Sequence, residues 1–278
     1  MSLDERSIRE ILLAFGQHLP HIHEEAIPPE IGREAYRHIS EKTGILDPYA
    51  QLKKENTQKA LSLYPRFKER VAASPDRLKM AIRMAIAGNV IDFGANADFD
   101  LDKDLDVLLS QPLAVDHYPA FSKALHKAQK ILYLADNAGE TVFDRLLIEE
   151  LGKPVIYAVR EKPIINDATY QDAEEAGLAK VAKIVSSGTD APGTILNLCS
   201  EHFLEIYRAA DLIISKGQGN YEGLSEEHCP VFFLLKAKCA VIARDIGVKE
   251  GSLILMKSNK YDFPERENPI PIEEGPYG

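Results

Sequence analysis

The stretch Ile131-Leu132-Tyr133-Leu134-Ala135-Asp136-Asn137-Ala138-Gly139-Glu140 decides how the chain folds. Its apolar start has the composition of a strand buried on both faces. Asp136 and Asn137 follow without a spacer, and Ala138-Gly139 is small enough for a tight turn into a helix near Thr141. A carboxylate and an amide at the carboxyl end of a strand lie where open α/β sheets bind ligands.

The same design repeats downstream. A helix over His117–Gln129 leads into strand Ile131–Ala135, and helix Thr141–Leu151 leads to strand Pro154–Val159. The short segment Pro163–Ile165 ends in Asn166-Asp167, with a helix opening near Tyr170. Strand Lys183–Val185 ends in Ser186-Ser187-Gly188-Thr189-Asp190, and a long helix then runs to about Ala210. Strand Leu212–Ser215 ends in Lys216-Gly217-Gln218-Gly219-Asn220, and Val231–Leu235, Ala240–Ala243 and Ser252–Met256 complete the strand set. Short apolar strands alternating with helices specify a three-layer α/β/α fold, class α/β, with a mainly parallel, doubly wound sheet.

Upstream the periodicity is helical only, so we place a helical domain or cap at 1–115 and the Rossmann-like α/β core at 116–278. Asp47-Pro48 and Ser74-Pro75 each set a capping residue before a proline, and amphipathic stretches cover Tyr49–Val71 and Asp76–Ala87. Asn89 and Asp92 stand in a glycine-bracketed turn, which reads either as a C-cap formed by Gly88 and Asn89 or as the place where the helical part reaches over the site with polar contacts. His18, His21 and His23 read as surface histidines, because no acidic or cysteine partner stands at ligand spacing in the sequence.

The net charge of −10 argues against nucleic acid as a partner. The apolar runs are far below membrane-spanning length, and no charged-then-apolar leader opens the chain. Three scattered cysteines without a Cys-x-x-Cys pair suit a reducing cytoplasm. No feature specifies an oligomer interface.

Asp136, Asn137 and Asp167 are hard oxygen donors at successive strand ends, a set suited to Mg²⁺ or Mn²⁺. The turns Ser186–Thr189 and Gly217–Asn220 offer backbone N–H groups and hydroxyls to an anion. Lys216, with Lys236 or Lys238, adds positive charge at two further strand ends. Metal, anion-cradling turns and lysines around one crevice describe phosphoryl chemistry better than hydride or acyl transfer.

The motifs Asp136–Glu140 (DNAGE), Ile165–Thr169 (INDAT), Ser186–Thr189 (SSGT), Lys216–Glu222 (KGQGNYE) and Leu235–Cys239 (LKAKC) occur in the order found in the damage-control phosphatases. The chain resembles that metal-dependent family, once catalogued as a domain of unknown function, over about residues 75 to 257. Its prokaryotic stand-alone branch is the most similar, and GNVIDFG at 88–94 also resembles it. The resemblance implies an α/β/α core with an added helical part. It also implies that Asp136, Asn137 and Asp167 hold the metal, that Glu140, Lys216 and the Gln218–Glu222 turn lie beside the substrate, and that Lys236 lies near its phosphate. Two departures stand out. That branch usually opens with a Cys-x-x-Cys pair, which this chain lacks. The eukaryotic branch has an acidic residue and an arginine where this chain has Gln218 and Glu222.

The expectation is therefore a divalent-metal-dependent phosphatase acting on small phosphorylated metabolites, with Mn, Ni, Co or Mg as cofactor. Asp136, Asn137, Asp167 and Lys216 form its catalytic set. Glu140, Asn89, Asp92, Ser187, Gly188, Thr189, Gln218, Gly219, Asn220, Tyr221 and Lys236 form its substrate-binding set. The metal activates a water for in-line attack, and Lys216 and Lys236 neutralise the equatorial oxygens. Two alternatives use the same crevice: a sugar-phosphate or nucleotide sensor without turnover, and a carboxyl methyltransferase. The absence of a glycine-rich first βα loop weighs against the second.

Overall fold

Alternate residues of each central strand face opposite sides of the sheet, and both sides are apolar. Ile131 and Tyr133 join one buried cluster while Leu132 and Leu134 join the other; Leu212 and Ile214 are likewise separated from Ile213. A sheet apolar on both faces must be covered twice. The computed structural model describes residues 4–88 and 101–263 and shows that covering. Asn89 and Asp92 lie outside the described residues, as does most of the tail after Lys260.

The seven strands are β1 (Leu113–Asp116), β2 (Ile131–Leu134), β3 (Val155–Val159), β4 (Lys183–Ser186), β5 (Leu212–Lys216), β6 (Val231–Lys236) and β7 (Leu253–Lys257), in spatial order β1-β7-β6-β5-β2-β3-β4. From β6 to β4 every neighbouring pair is parallel, whereas β7 runs antiparallel to β6. The chain moves outward from β2 through β3 to β4 and then returns to lay β5 on the other side of β2. The carboxyl ends of β2 and β5 therefore flank the point where strand order reverses, the crevice where such sheets place ligands.

The helices are α1 (Glu5–His18), α2 (Pro28–Thr43), α3 (Ala50–Ala72), α4 (Arg77–Gly88), α5 (Leu101–Ser110), α6 (Tyr118–Lys127), α7 (Thr141–Leu151), α8 (Tyr170–Glu175), α9 (Glu201–Arg208), α10 (Gln218–Leu224) and α11 (Ala240–Ile246). Phe121 of α6, Phe143 and Leu147 of α7, Phe67 of α3 and Met84 of α4 pack on one sheet face. Phe203 of α9, Tyr221 and Leu224 of α10, and Ile242 of α11 pack on the other. The two faces make the outer layers of a three-layer α/β/α fold.

Three local readings change. Ala240–Ala243 is not a strand but the start of α11, which buries Ile242 and Ala243 and leaves Val241 exposed. A run of four apolar residues does not by itself distinguish a strand from one helix face. Gly247 at φ 80° then ends the helix in the left-handed conformation. The helix expected before Ala210 is confined to α9, because Pro192 and Gly193 hold the preceding segment against Gly219. Leu113–Asp116, within the stretch of helical periodicity, is edge strand β1.

Candidate active site

The segment after β2 is laced to the segment before α8. Ala138 N–H donates to Asn166 O at 2.8 Å, and Ala168 N–H donates to Asp136 O at 2.8 Å. An isolated bridge pairs Asn137 with Asp167. This lacing brings Asp136, Asn137 and Asp167, thirty residues apart in sequence, to one sheet edge. Asp136 and Asp167 are buried.

Each of the three side chains is held by a neighbour. Asn137 Nδ2 donates to Asp136 Oδ2 at 3.1 Å and to Glu140 Oε1 at 2.5 Å. Arg160 Nε donates to Asp167 Oδ2 at 2.8 Å. The rest of that guanidinium reaches Thr194 Oγ1 at 3.3 Å, Asn220 Oδ1 at 3.0 Å and Ala135 O at 3.4 Å. Asn220 also donates to Ala135 O at 2.9 Å and Lys216 O at 2.7 Å, clamping β2 to β5. Gly217 sits at φ 78°, and a Cβ there would lie 2.0 Å from Asp136 Oδ2. Only glycine leaves room for this carboxylate.

Lys216 is wholly buried. Its ammonium donates to Glu140 Oε2 at 2.9 Å and to Asp144 Oδ1 at 2.7 Å. Tyr133 and Tyr157, opposite each other on β2 and β3, each donate to Asp144 at 2.7 Å. Lys216 thus supports the site through Glu140.

Burial pushes the Asp136 carboxyl up to about 8, reinforced by the charges of Glu140 and Asp167 and opposed by Lys238 and Arg160. Burial also raises Asp167, against the opposing charge and hydrogen bond of Arg160. Burial acts on Glu140 in the same sense. There the charges of Lys216 and Lys238 and the hydrogen bonds from Lys216 and Asn137 outweigh it and hold the carboxyl below its usual range. Carboxylates this close in a buried setting repel one another, and a cation among them would relieve that repulsion.

The remaining expected site residues divide in two. Gln218 lies at the edge, donating to Glu222 Oε1 at 2.9 Å and accepting from Lys238 N–H at 3.3 Å. Gly219 is pressed against Pro192 O. Tyr221 points elsewhere: its hydroxyl donates to Asp245 at 2.6 Å, and its ring packs on Phe233. Ser187 N–H and Oγ both donate to Val159 O, Gly188 N–H donates to Ser186 Oγ, and Thr189 Oγ1 accepts from Ala191 N–H. These groups of the Ser187–Thr189 turn are therefore engaged within the protein, Ser187 with Val159 of β3 and the others with close neighbours in sequence. Lys236 closes β6 half-buried, whereas the lysine whose charge acts on Asp136 and Glu140 is the exposed Lys238.

Reasoning from sequence overlooked Arg160 and Asp144. Arg160 follows the buried strand β3 directly, and Asp144 stands one helical turn after Glu140 on an apolar helix. A charge in either place signals a buried partner.

Helix α2 closes one side. Pro29 approaches Gly193, Gly32 faces Pro192, and Arg33 pairs with Asp190. A cleft of about 490 Å³ opens beside it, lined by Arg33, Tyr36, Arg37, Lys162, Pro163 and Ile164 among others. Tyr36 donates to Tyr49 Oη at 3.2 Å. Its hydroxyl pKa is raised by burial and by Tyr49, and the charge of Asp167 acts in the same sense.

Residues 2–254 match the family profile described as "Damage-control phosphatase ARMT1-like domain". A damage-control phosphatase of Pyrococcus horikoshii is 37% identical over 259 residues, covering 91% of this chain and 89% of that protein. A damage-control phosphatase of Archaeoglobus fulgidus is 34% identical, covering 82% of each. The crystal structure of a DUF89 family protein from Pyrococcus horikoshii superposes with a TM-score of 0.87 at 36% identity, covering 92% of each chain. No helix among the described residues is long and apolar enough to cross a membrane.

Proposed function

The chain belongs to the damage-control phosphatase family, and from that premise we propose that it is a divalent-metal-dependent phosphatase hydrolysing phosphate monoesters of small metabolites in the cytoplasm. The observation that carries this reading is the convergence of Asp136, Asn137 and Asp167 on one sheet edge at the strand-order reversal. Their oxygens would hold the cation, and hard oxygen donors accept Mg²⁺, Mn²⁺, Co²⁺ or Ni²⁺. A bound cation supplies Lewis acidity toward the phosphoryl group and makes a nearby water more acidic.

The chain's own groups do the rest. Arg160 fixes the orientation of Asp167, and the Asn137 amide spaces Asp136 from Glu140. Glu140, kept ionised by Lys216 and Lys238, is placed to orient a water or a substrate hydroxyl. The first turn of α10 opens at the same edge, where N–H groups without intrahelical partners can receive phosphate oxygens. Lys238 replaces Lys236 as the cation facing the phosphate, and Lys216 acts as a positioning residue through Glu140. Arg33, Tyr36 and Lys162 line the cleft that takes the remainder of the substrate.

The test uses metal-stripped protein and an aryl phosphate, with Mg²⁺, Mn²⁺, Co²⁺ or Ni²⁺ restored in turn and Asp136→Ala run in parallel. Turnover that returns with metal and is abolished in the variant is the expected result. A panel of sugar and cofactor phosphates follows. Ligand binding without phosphate release from any ester would sink the enzyme reading in favour of a sensor.

A further inference from the structure

We propose that His18, Glu34 and His38 form a second divalent-metal site, of the late first-row class typified by zinc, which pins α1 to α2. Glu34 and His38 stand one turn apart on a single face of α2, and His18 is the last residue of α1. The three ligand atoms lie within 4.8 Å of one another. His18 Nε2 is 3.3 Å from Glu34 Oε2, about the ligand–ligand edge of a tetrahedron with metal bonds near 2.0–2.1 Å. The His18 and His38 rings meet edge to face at 4.9 Å, with Phe15 beyond them. His38 Nε2 is buried and has no hydrogen-bond partner among the described residues, so this ring nitrogen is withheld from solvent and left unused.

The sequence spacing of His18, His21 and His23 concealed this cluster, because its acidic partner and second histidine come from another helix. Its donors are two nitrogens and one oxygen, against the all-oxygen set around Asp136. Imidazole donors favour zinc and its neighbours, whereas carboxylate and amide oxygens favour harder ions.

Arg37 competes for the same carboxylate. Its Nη2 donates to Glu34 Oε2 at 2.6 Å, and Arg33 lies 3.5 Å from the other oxygen. Arg37 is half exposed and also pairs with Glu41, so it has a second partner when metal takes Glu34. Since α2 also walls the candidate active site through Pro29 and Arg33, the metal would stiffen the helix that borders the substrate cleft.

The experiment titrates Zn²⁺ into chelator-treated full-length protein by calorimetry, with Co²⁺ absorption as a second readout. The Asp136→Ala background removes the contribution of the oxygen site. That variant should still bind zinc and should give the intense visible bands of tetrahedral Co²⁺. Adding His38→Ala should weaken zinc binding by at least ~100-fold and abolish the bands. His18→Ala, on the other helix, should do the same, with circular dichroism verifying the fold of both. Arg37→Ala should tighten binding. The proposal is overturned if Asp136→Ala binds no zinc, or if both histidine variants bind as tightly as their parent. Either result leaves the phosphatase reading intact, because aryl phosphate hydrolysis is scored separately.

Discussion

A single methyl group at residue 217 should reach the candidate site directly. Ala at Gly217 would place its Cβ 2.0 Å from the Asp136 carboxylate, on a backbone at φ 78°. Gly152 has a similar φ of 65° but nothing within 4 Å of its would-be Cβ. Gly152, at ψ 21°, is left-handed, which costs a non-glycine residue roughly 1–2 kcal/mol, whereas Gly217, at ψ 169°, lies in a region essentially reserved for glycine and adds the clash, so Gly217→Ala should lose more stability than Gly152→Ala. Gly217→Ala alone should also lose metal-dependent turnover. Denaturant unfolding and aryl phosphate hydrolysis on the two variants check this, and equal activities would show that Asp136 tolerates displacement.

Lys216 makes a second prediction at this scale. Its ammonium neutralises two buried carboxylates, and removing one partner of a buried ionic cluster costs roughly 3–5 kcal/mol. Lys216→Met should lower stability by about that amount as well as activity. Asp144→Asn should cost less, because the Lys216–Glu140 pair survives. Urea unfolding of the two variants decides the order.

Among the elements, Glu149 of α7 gives α3 two polar ties. Tyr64 donates to its Oε1 at 2.5 Å and Lys68 to its Oε2 at 2.7 Å, with Arg145 at 3.3 Å. Burial pushes the Glu149 carboxyl up, but Lys68, Tyr64 and Arg145 outweigh it and hold it below the usual carboxylate range. A carboxyl whose folded pKa is depressed stabilises the fold above its unfolded pKa, and the contribution is lost as pH falls through the folded value. Glu149→Gln should therefore destabilise the protein at pH 7, by about 1 kcal/mol or less given the exposure of Lys68. The gap between wild type and variant should narrow as pH falls through the depressed folded pKa. Unfolding midpoints at pH 7 and pH 3.5 test the sign, and a gap that widens in acid would contradict it.

The elements also show which parts of the sequence were legible. Strands β2, β5 and β6 were readable because each is a short, wholly buried apolar run with a polar end. Ala240–Ala243 was misread because Cys239, Ala240, Val241, Ile242 and Ala243 satisfy either periodicity locally. Docking of Ile242 against the sheet decides between them.

Over the whole molecule, the helical part and the sheet share one core. Phe67, Ala81 and Met84 from α3 and α4 belong to the same buried cluster as Tyr133, Phe232 and Leu253. Phe67 and Phe143 stack with centroids 4.9 Å apart. A boundary near residue 115 therefore separates patterns of secondary structure, and we expect no separate folding unit on either side of it. Calorimetry should show a single transition with equal calorimetric and van't Hoff enthalpies. Two resolved transitions would restore the helical part as an independent domain.

By itself the sequence determined the α/β alternation, the polar strand ends and their order along the chain. Those follow from local rules: an apolar run of strand length must be buried, and a carboxylate directly after it must emerge at an edge. Only the tertiary structure decided which polar ends face a ligand. Arg160 and Asn220 tie β2, β3 and β5 into one frame, Lys216 turns inward to Glu140 and Asp144, and Ser187 ties back to Val159 of β3. Each outcome depends on partners distant in sequence and on the cost of leaving a buried charge or hydrogen-bonding group alone. Local patterns carry no record of either.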